Sequence, residues 1–139
     1  MLWVTRPRPH IDRTACAWLI RRFVDPEPTF AFASDADAAA RLSGTPFDMR
    51  GVALGHQEGR CSFESILHEY LLDDPALREI AVMVHDADLD DERFGSPEAP
   101  GLDVVVRGLG LVIPDDHELL TVTDRVYDGL YAWFRGLGS

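Results

Sequence analysis

The sequence predicts an α+β chain: a mostly helical single domain with a small β-α-β-α-β portion at its N-terminus. Three observations carry that expectation. Short apolar runs at residues 2–5, 29–33 and 46–49 alternate with segments of helical period. From Ser62 onward the apolar residues recur almost wholly at helical spacing. Turn-forming residues stand where the pattern changes, at Asp25-Pro26, Ser43-Gly44, Asp73-Asp74-Pro75 and Pro114.

Each element has its own warrant. Residues 2–5 form a strand that Arg6-Pro7-Arg8-Pro9 stops, because proline cannot donate to a ladder. Residues 12–24 form a helix capped by Asp12, with Ile11, Ala15, Leu19 and Phe23 inward and Cys16 and Ile20 beside them. A strand at 29–33 and an alanine-rich helix at 36–42, capped by Ser34 or Asp35, lead to a third strand at 46–49. Phe63, Ile66, Leu67, Tyr70 and Leu71 give the next helix its apolar face. Asp74 caps a further helix, with Pro75 in its first position and Leu77, Ile80, Ala81 and Val84 inward. A loop at 95–100 precedes a glycine-interrupted helix over 102–113. Asp115 caps the last helix with Glu118 placed for a capping box, and Leu119, Thr123, Val126, Leu130, Trp133 and Leu137 form its inner stripe.

Composition bounds the function. A chain of 139 residues, 46% hydrophobic, can bury a core without disulfides, and Cys16 and Cys61 do not form a secreted framework. No signal-peptide pattern and no membrane-length apolar run is present, so a soluble, cytoplasmic protein with no membrane partner is expected. A net charge of −11 argues against direct nucleic-acid binding by this chain. Yet Arg6, Arg8, Arg13, Arg21 and Arg22 crowd the first 22 residues. They either attract a small anion or pair with the chain's own surplus carboxylates.

The chemistry concentrates in two places. The stretch 55–70, GHQEGRCSFESILHEY, holds His56, Cys61, Glu64 and His68 at the mouth of a helix. The run HDADLDD at 85–91 supplies His85, Asp86 and Asp88, and the stripe through Ala81 and Val84 aims His85 and Asp88 toward the core. A buried acid is costly unless paired or bound to a metal. His56, Glu64, His85 and Asp88 are therefore the expected ligands of a divalent ion (Zn, Mn, Fe or Ni), with His68 and Asp86 in reserve. A surface pair at helical spacing and a solvated acidic loop are the plain alternatives. Cys16 lies on an apolar face as a small core residue. Cys61, next to Arg60 and a helix N-terminus, is the candidate reactive thiol.

The runs at residues 3–26 (WVTRPRPHIDRTACAWLIRRFVDP), 46–67 (PFDMRGVALGHQEGRCSFESIL), 84–102 (VHDADLDDERFGSPEAPGL) and 115–134 (DDHELLTVTDRVYDGLYAWF) together resemble the ChrB C-terminal domain of chromate-resistance proteins. In fuller members this domain follows a separate N-terminal region, in a protein described as a chromate-responsive regulator. The resemblance implies a role in chromate resistance or sensing, with a small oxyanion such as chromate as partner; it leaves a homo-oligomer open. Arginine forks suit such an anion, so Arg6, Arg8 and Arg13 are the expected oxyanion contacts. Two other classes compete. One is an enzyme, either a phosphohydrolase echoing the H…HD…D order of the HD family or a chromate reductase using Cys61. The other is a sensory or interaction module whose polar cluster is structural.

Overall fold

β1 (Leu2–Thr5) is the middle strand of a three-stranded sheet and organises the N-terminal half. In this computed structural model residues 1–8, 10–89, 91 and 93–137 are described. Pro9 of the strand-stopping run and Asp90 of the acidic run lie outside them, as does the side chain of Leu137. β2 (Thr29–Phe32) and β3 (Thr45–Pro46) pair with β1 in parallel on either side, in the order β2-β1-β3. Parallel neighbours require crossovers, and α1 (Ile11–Leu19) and α2 (Ala36–Arg41) supply them. Alternation along β1 sends Trp3 into the core that α1 shares and Val4 into a second, smaller core with Ala39, Met49 and Val52. The two helices thus cover opposite faces of the sheet.

β3 is shorter than the expected strand at 46–49. Asp48 takes a left-handed backbone conformation (φ 48°) that turns the chain out of the sheet, while Phe47 bridges to Leu54. The sheet order reverses at β1, and such a reversal opens a crevice beyond the carboxyl ends of the strands.

Every residue of α1 is buried, Asp12, Arg13 and Thr14 included. It is the central helix, wrapped by the sheet on one side and by α3 (Ser62–Glu69), α4 (Pro75–Leu89) and α6 (Asp116–Leu137) on the others. A π-helical turn (Ile20–Val24) extends it, closed by the Asp25 N–H donating to Ile20 O at 2.8 Å. From that turn Arg21 Nε reaches Asp124 Oδ2 at 2.9 Å, and Arg22 forks onto both oxygens of Asp128 at 2.9 Å. The expected pairing of the clustered arginines with the chain's own acids therefore holds for Arg13, Arg21 and Arg22.

α3 (Ser62–Glu69), α4 (Pro75–Leu89), α5 (Ala99–Val112) and α6 (Asp116–Leu137) complete the chain, which is mostly helical as expected. Asp74 Oδ1 accepts the Ala76 N–H at 2.8 Å at the start of α4. Two expectations need correction. The buried face of α6 runs through Leu119, Leu120, Thr123, Asp124 and Tyr127, and Trp133 is 64% exposed. The expected stripe keeps the helical average of about 3.6 residues, and Val126 and Leu130 do pack on the core, but near the end of the helix Tyr131 and Phe134 take the inward positions in place of Trp133. Second, α1 begins at His10 without a side-chain cap, because the Asp12 carboxylate is used elsewhere. Among the described residues no helix is long and apolar enough to cross a membrane.

Candidate functional site

A cavity of about 360 Å³ opens at the switch point of the sheet, lined by Arg6, Asp12, Arg13, Asp48, His56 and Asp88 among others. Asp12 sits one residue into α1 and is 1% exposed. Its Oδ2 accepts the Ser62 N–H at 2.8 Å and its Oδ1 the Phe63 N–H at 2.9 Å. A carboxylate from one helix thereby caps the positive N-terminus of another, 50 residues away. The left-handed turn at Asp48 brings a second carboxylate alongside, which accepts the Ser62 hydroxyl at 2.7 Å and pairs with Arg13 Nε at 2.9 Å. Asp88 arrives from the end of α4.

His56 closes the group. Its Nε2 lies 3.0 Å from Asp88 Oδ2 and 3.3 Å from Asp12 Oδ2. Gly55 aims it: a Cβ there would stand 2.7 Å from Met49 O, so only glycine fits, and Ser65 Oγ donates to Gly55 O at 2.6 Å.

Asp48 and Asp88 do not ionise freely in this crevice. Burial first, and then Asp12, push Asp48 up to about 7 despite Arg13. The same two causes raise Asp88 to about 6. His56 moves to about 9, chiefly through its hydrogen bond to Asp12, against the opposing effect of burial. Ligand atoms of Asp12, Asp48 and His56 all lie within 4.8 Å of one another. Oxygen donors with one imidazole suit a hard or borderline divalent ion.

A second group lies on the other side of the α3 N-terminus. His85 is wholly buried, with Nδ1 2.6 Å from Glu64 Oε1 and Nε2 2.9 Å from Asp91 Oδ2. Burial alone would lower its pKa, but the bonds to Glu64 and Asp91 outweigh it and leave it raised. Glu64 also accepts the Cys61 N–H at 2.9 Å in a capping box.

The four expected metal ligands are thus divided between two clusters: His56 joins Asp88, and Glu64 joins His85. His85 and Asp88 both leave the buried side of α4, but three residues on a helix place them about 60° apart, enough to serve different neighbours. Asp86 accepts the Phe94 and Ser96 amides, and His68 lines a separate cleft beside Glu64. Arg6 lines the cavity and Arg8 a neighbouring recess of about 350 Å³ with His10 and Ser34. Arg13 is engaged internally, donating to the carbonyls of Pro7 and Arg8 as well as pairing with Asp48. The charge balance at Cys61 opposes the one expected from Arg60 and the helix end: burial, then Asp12 and Glu64, push its thiol well up. Cys16 is a buried core thiol, as its helical face implied.

Asp12 and Asp48 are the site residues that sequence reasoning missed. Asp12 carried a local explanation as a helix cap, and Asp48 lay in an expected strand. An acid inside the apolar run Pro46-Phe47-Asp48-Met49 was the available signal.

The site's residues fall within a longer similarity. Residues 3–134 match the family model described as ChrB, C-terminal domain. The chain is 38% identical over 135 residues to Protein ChrB of Cupriavidus metallidurans (strain ATCC 43123 / DSM 2839 / NBRC 102507 / CH34), which covers 95% of this chain and 40% of that protein. It thus spans about two fifths of the length of this curated relative. No solved structure matches the chain. With a family match that takes in nearly the whole chain and all of both polar clusters, the chain belongs to the ChrB C-terminal domain family.

Proposed function

We propose that this chain binds a divalent cation at Asp12, Asp48, His56 and Asp88 and receives a small oxyanion beside it, as the ligand-binding part of a chromate-resistance protein. The observation that carries this is the crowding of three carboxylates onto one imidazole and one guanidinium, with two of the acids driven up to about 7 and about 6. A cation would relieve that repulsion and let Asp48 and Asp88 ionise. Mn²⁺ or Fe²⁺ fits the oxygen-rich donor set best among the ions a His-Asp site takes.

The anion side follows from the same cavity. Arg6 is exposed at its mouth, and Arg8 and His10 line the adjoining recess. Arg13 acts as a positioning residue, tying the loop that carries Arg6 and Arg8 to Asp48. A bare carboxylate cluster repels a dianion, so the oxyanion enters only next to a bound cation; the cation would supply charge neutralisation and an open coordination position.

Two measurements test this. Metal analysis and thermal shift on untagged protein should give about one Mn²⁺ or Fe²⁺ per chain and a rise in Tm with added metal. Calorimetry should then show chromate binding to the metal-loaded protein that fails in Arg6→Gln. Protein that gains no stability with Mn, Fe, Zn or Ni would sink the cation reading. Equal affinity for sulfate and chromate would sink the sensing role while keeping an anion site.

A further inference from the structure

We infer that Cys61, Glu64 and His85 form a second, sulfur-containing metal site, selective for zinc and separate from the Asp12–His56 cavity. The inference does not depend on the reading of that cavity.

The donor set points to a different metal. One thiol sulfur, one carboxylate oxygen and one imidazole nitrogen lie within 4.8 Å of one another. Tetrahedral zinc, with bonds of about 2.0 to 2.3 Å, holds its ligand atoms roughly 3.3 to 3.5 Å apart. The group is therefore within a side-chain adjustment of that geometry, with the 2.6 Å His85–Glu64 contact opening as the ion enters. Thiolate and imidazole together favour zinc over the harder ions that an all-oxygen site selects.

The surroundings match as well. The ring nitrogen facing Glu64 is Nδ1, while Nε2 meets Asp91 at 2.9 and 3.2 Å. A histidine that ligates through one nitrogen and gives its other N–H to a carboxylate is the usual outer arrangement of a zinc ligand. Glu64 Oε1 accepts the Cys61 N–H and meets His85 Nδ1, and the Cys61 thiol also lies within hydrogen-bond reach of the Glu64 carboxylate, so all three donor groups already converge. Cys61 and His85 are completely buried, which shields a metal-bound thiolate from bulk solvent. Glu64 lines a cleft of about 570 Å³ between α3 and α4, with Leu67, His68 and Phe94 on its walls. That cleft is the way in, past the Phe94 ring that stands edge-on to His85 at 4.9 Å.

The step balances without electron transfer. Zinc forms bonds to Sγ, Nδ1 and a carboxylate oxygen. The thiol gives up its proton and the His85 imidazolium its Nδ1 proton, and both protons leave to solvent. The Nε2 proton stays on the ring, donated to Asp91, and water fills the fourth position.

Cobalt is the probe, because thiolate-to-cobalt charge transfer reports sulfur ligation, and no cysteine lines the Asp12–His56 cavity. Reduced, metal-free full chain titrated with Co²⁺ should develop one such band, and one equivalent of Zn²⁺ should abolish it. Cys61→Ser should lose the band; serine is itself a good N-cap, so the variant keeps the start of α3. His85→Gln should weaken zinc binding by about 10-fold to 100-fold, with circular dichroism confirming that it is folded. His56→Gln should leave the band intact. No sulfur band in the wild-type chain, or a band that survives Cys61→Ser, overturns the proposal, whatever the metal content of the other cavity.

Discussion

The two histidine clusters share one helix end yet differ in almost every physical respect. On one side of the α3 N-terminus, Asp12 takes the Ser62 and Phe63 amides and faces an open cavity with Asp48, Asp88 and a half-exposed His56. On the other, Glu64 takes the Cys61 amide and faces a fully buried His85 whose two nitrogens both meet carboxylates. The first crowds Asp48 and Asp88 so that both hold their protons more tightly than usual. The second sets one imidazole between two carboxylates. Dividing the orphan amides of one helix between two acids sets the boundary between the sites, and the adjacent residues Cys61 and Ser62 donate their amides into different chemistry.

The largest effect that would break this picture is at Asp12. Asp12→Ala leaves two buried amides unsatisfied and removes a cavity ligand, so urea unfolding should show a loss of about 3 kcal/mol together with loss of the Mn²⁺-induced rise in Tm. Retention of full stability would mean the amides find other partners and the shared-cap argument fails.

Next comes the contrast of the histidines themselves. His85→Ala empties a buried position and strands Glu64, and a cost of about 2 to 3 kcal/mol is expected. His56→Ala, half in solvent, should cost under about 1 kcal/mol while weakening Mn²⁺ binding at least about tenfold. Equal costs for the two would erase the distinction between open and closed clusters.

The pH dependence is a milder test. His56 is raised to about 9, Asp48 to about 7 and Asp88 to about 6. Each binds its proton more tightly folded than unfolded, so each contributes stability that is present below its unfolded pKa and lost as pH rises through its folded one. Metal-free protein should therefore lose stability steadily from about pH 5 to pH 9. Mn²⁺ affinity should rise over the same range as the protons leave. A metal affinity that is flat between pH 6 and 9 would exclude these groups as ligands. The smallest effect should be at Trp133: its replacement by Ser should change stability by less than about 0.5 kcal/mol, because it lies outside the packed face.

Much of the fold was legible because its punctuation is local. Asp25-Pro26, Asp74-Pro75 and Asp115 mark helix boundaries by chemistry that acts within four residues. The inward direction of His85 was equally legible, since a stripe on one helix extends itself. The site was only half legible. Nothing near Asp12 says that its carboxylate serves amides 50 and 51 residues away. Nor does any local pattern reveal that a left-handed Asp48 turns an expected strand residue into a cavity wall. The four expected ligands are all polar groups near one helix end, but their division into two sets depends on which acid reaches which amide, and that is a matter of tertiary geometry.

The π-helical turn at Ile20–Val24 carries a further consequence. A π turn amounts to one residue inserted into an α-helix, so α1 has two rotational registers in a single continuous rod. The first aims Asp12 and Arg13 at the cavity; the second aims Arg21 and Arg22 at Asp124 and Asp128 of α6. Removing one residue there would rotate one end by about 100° relative to the other. The insertion therefore sets the angle between the end that carries Asp12 and the end that meets α6, so each faces its own partners.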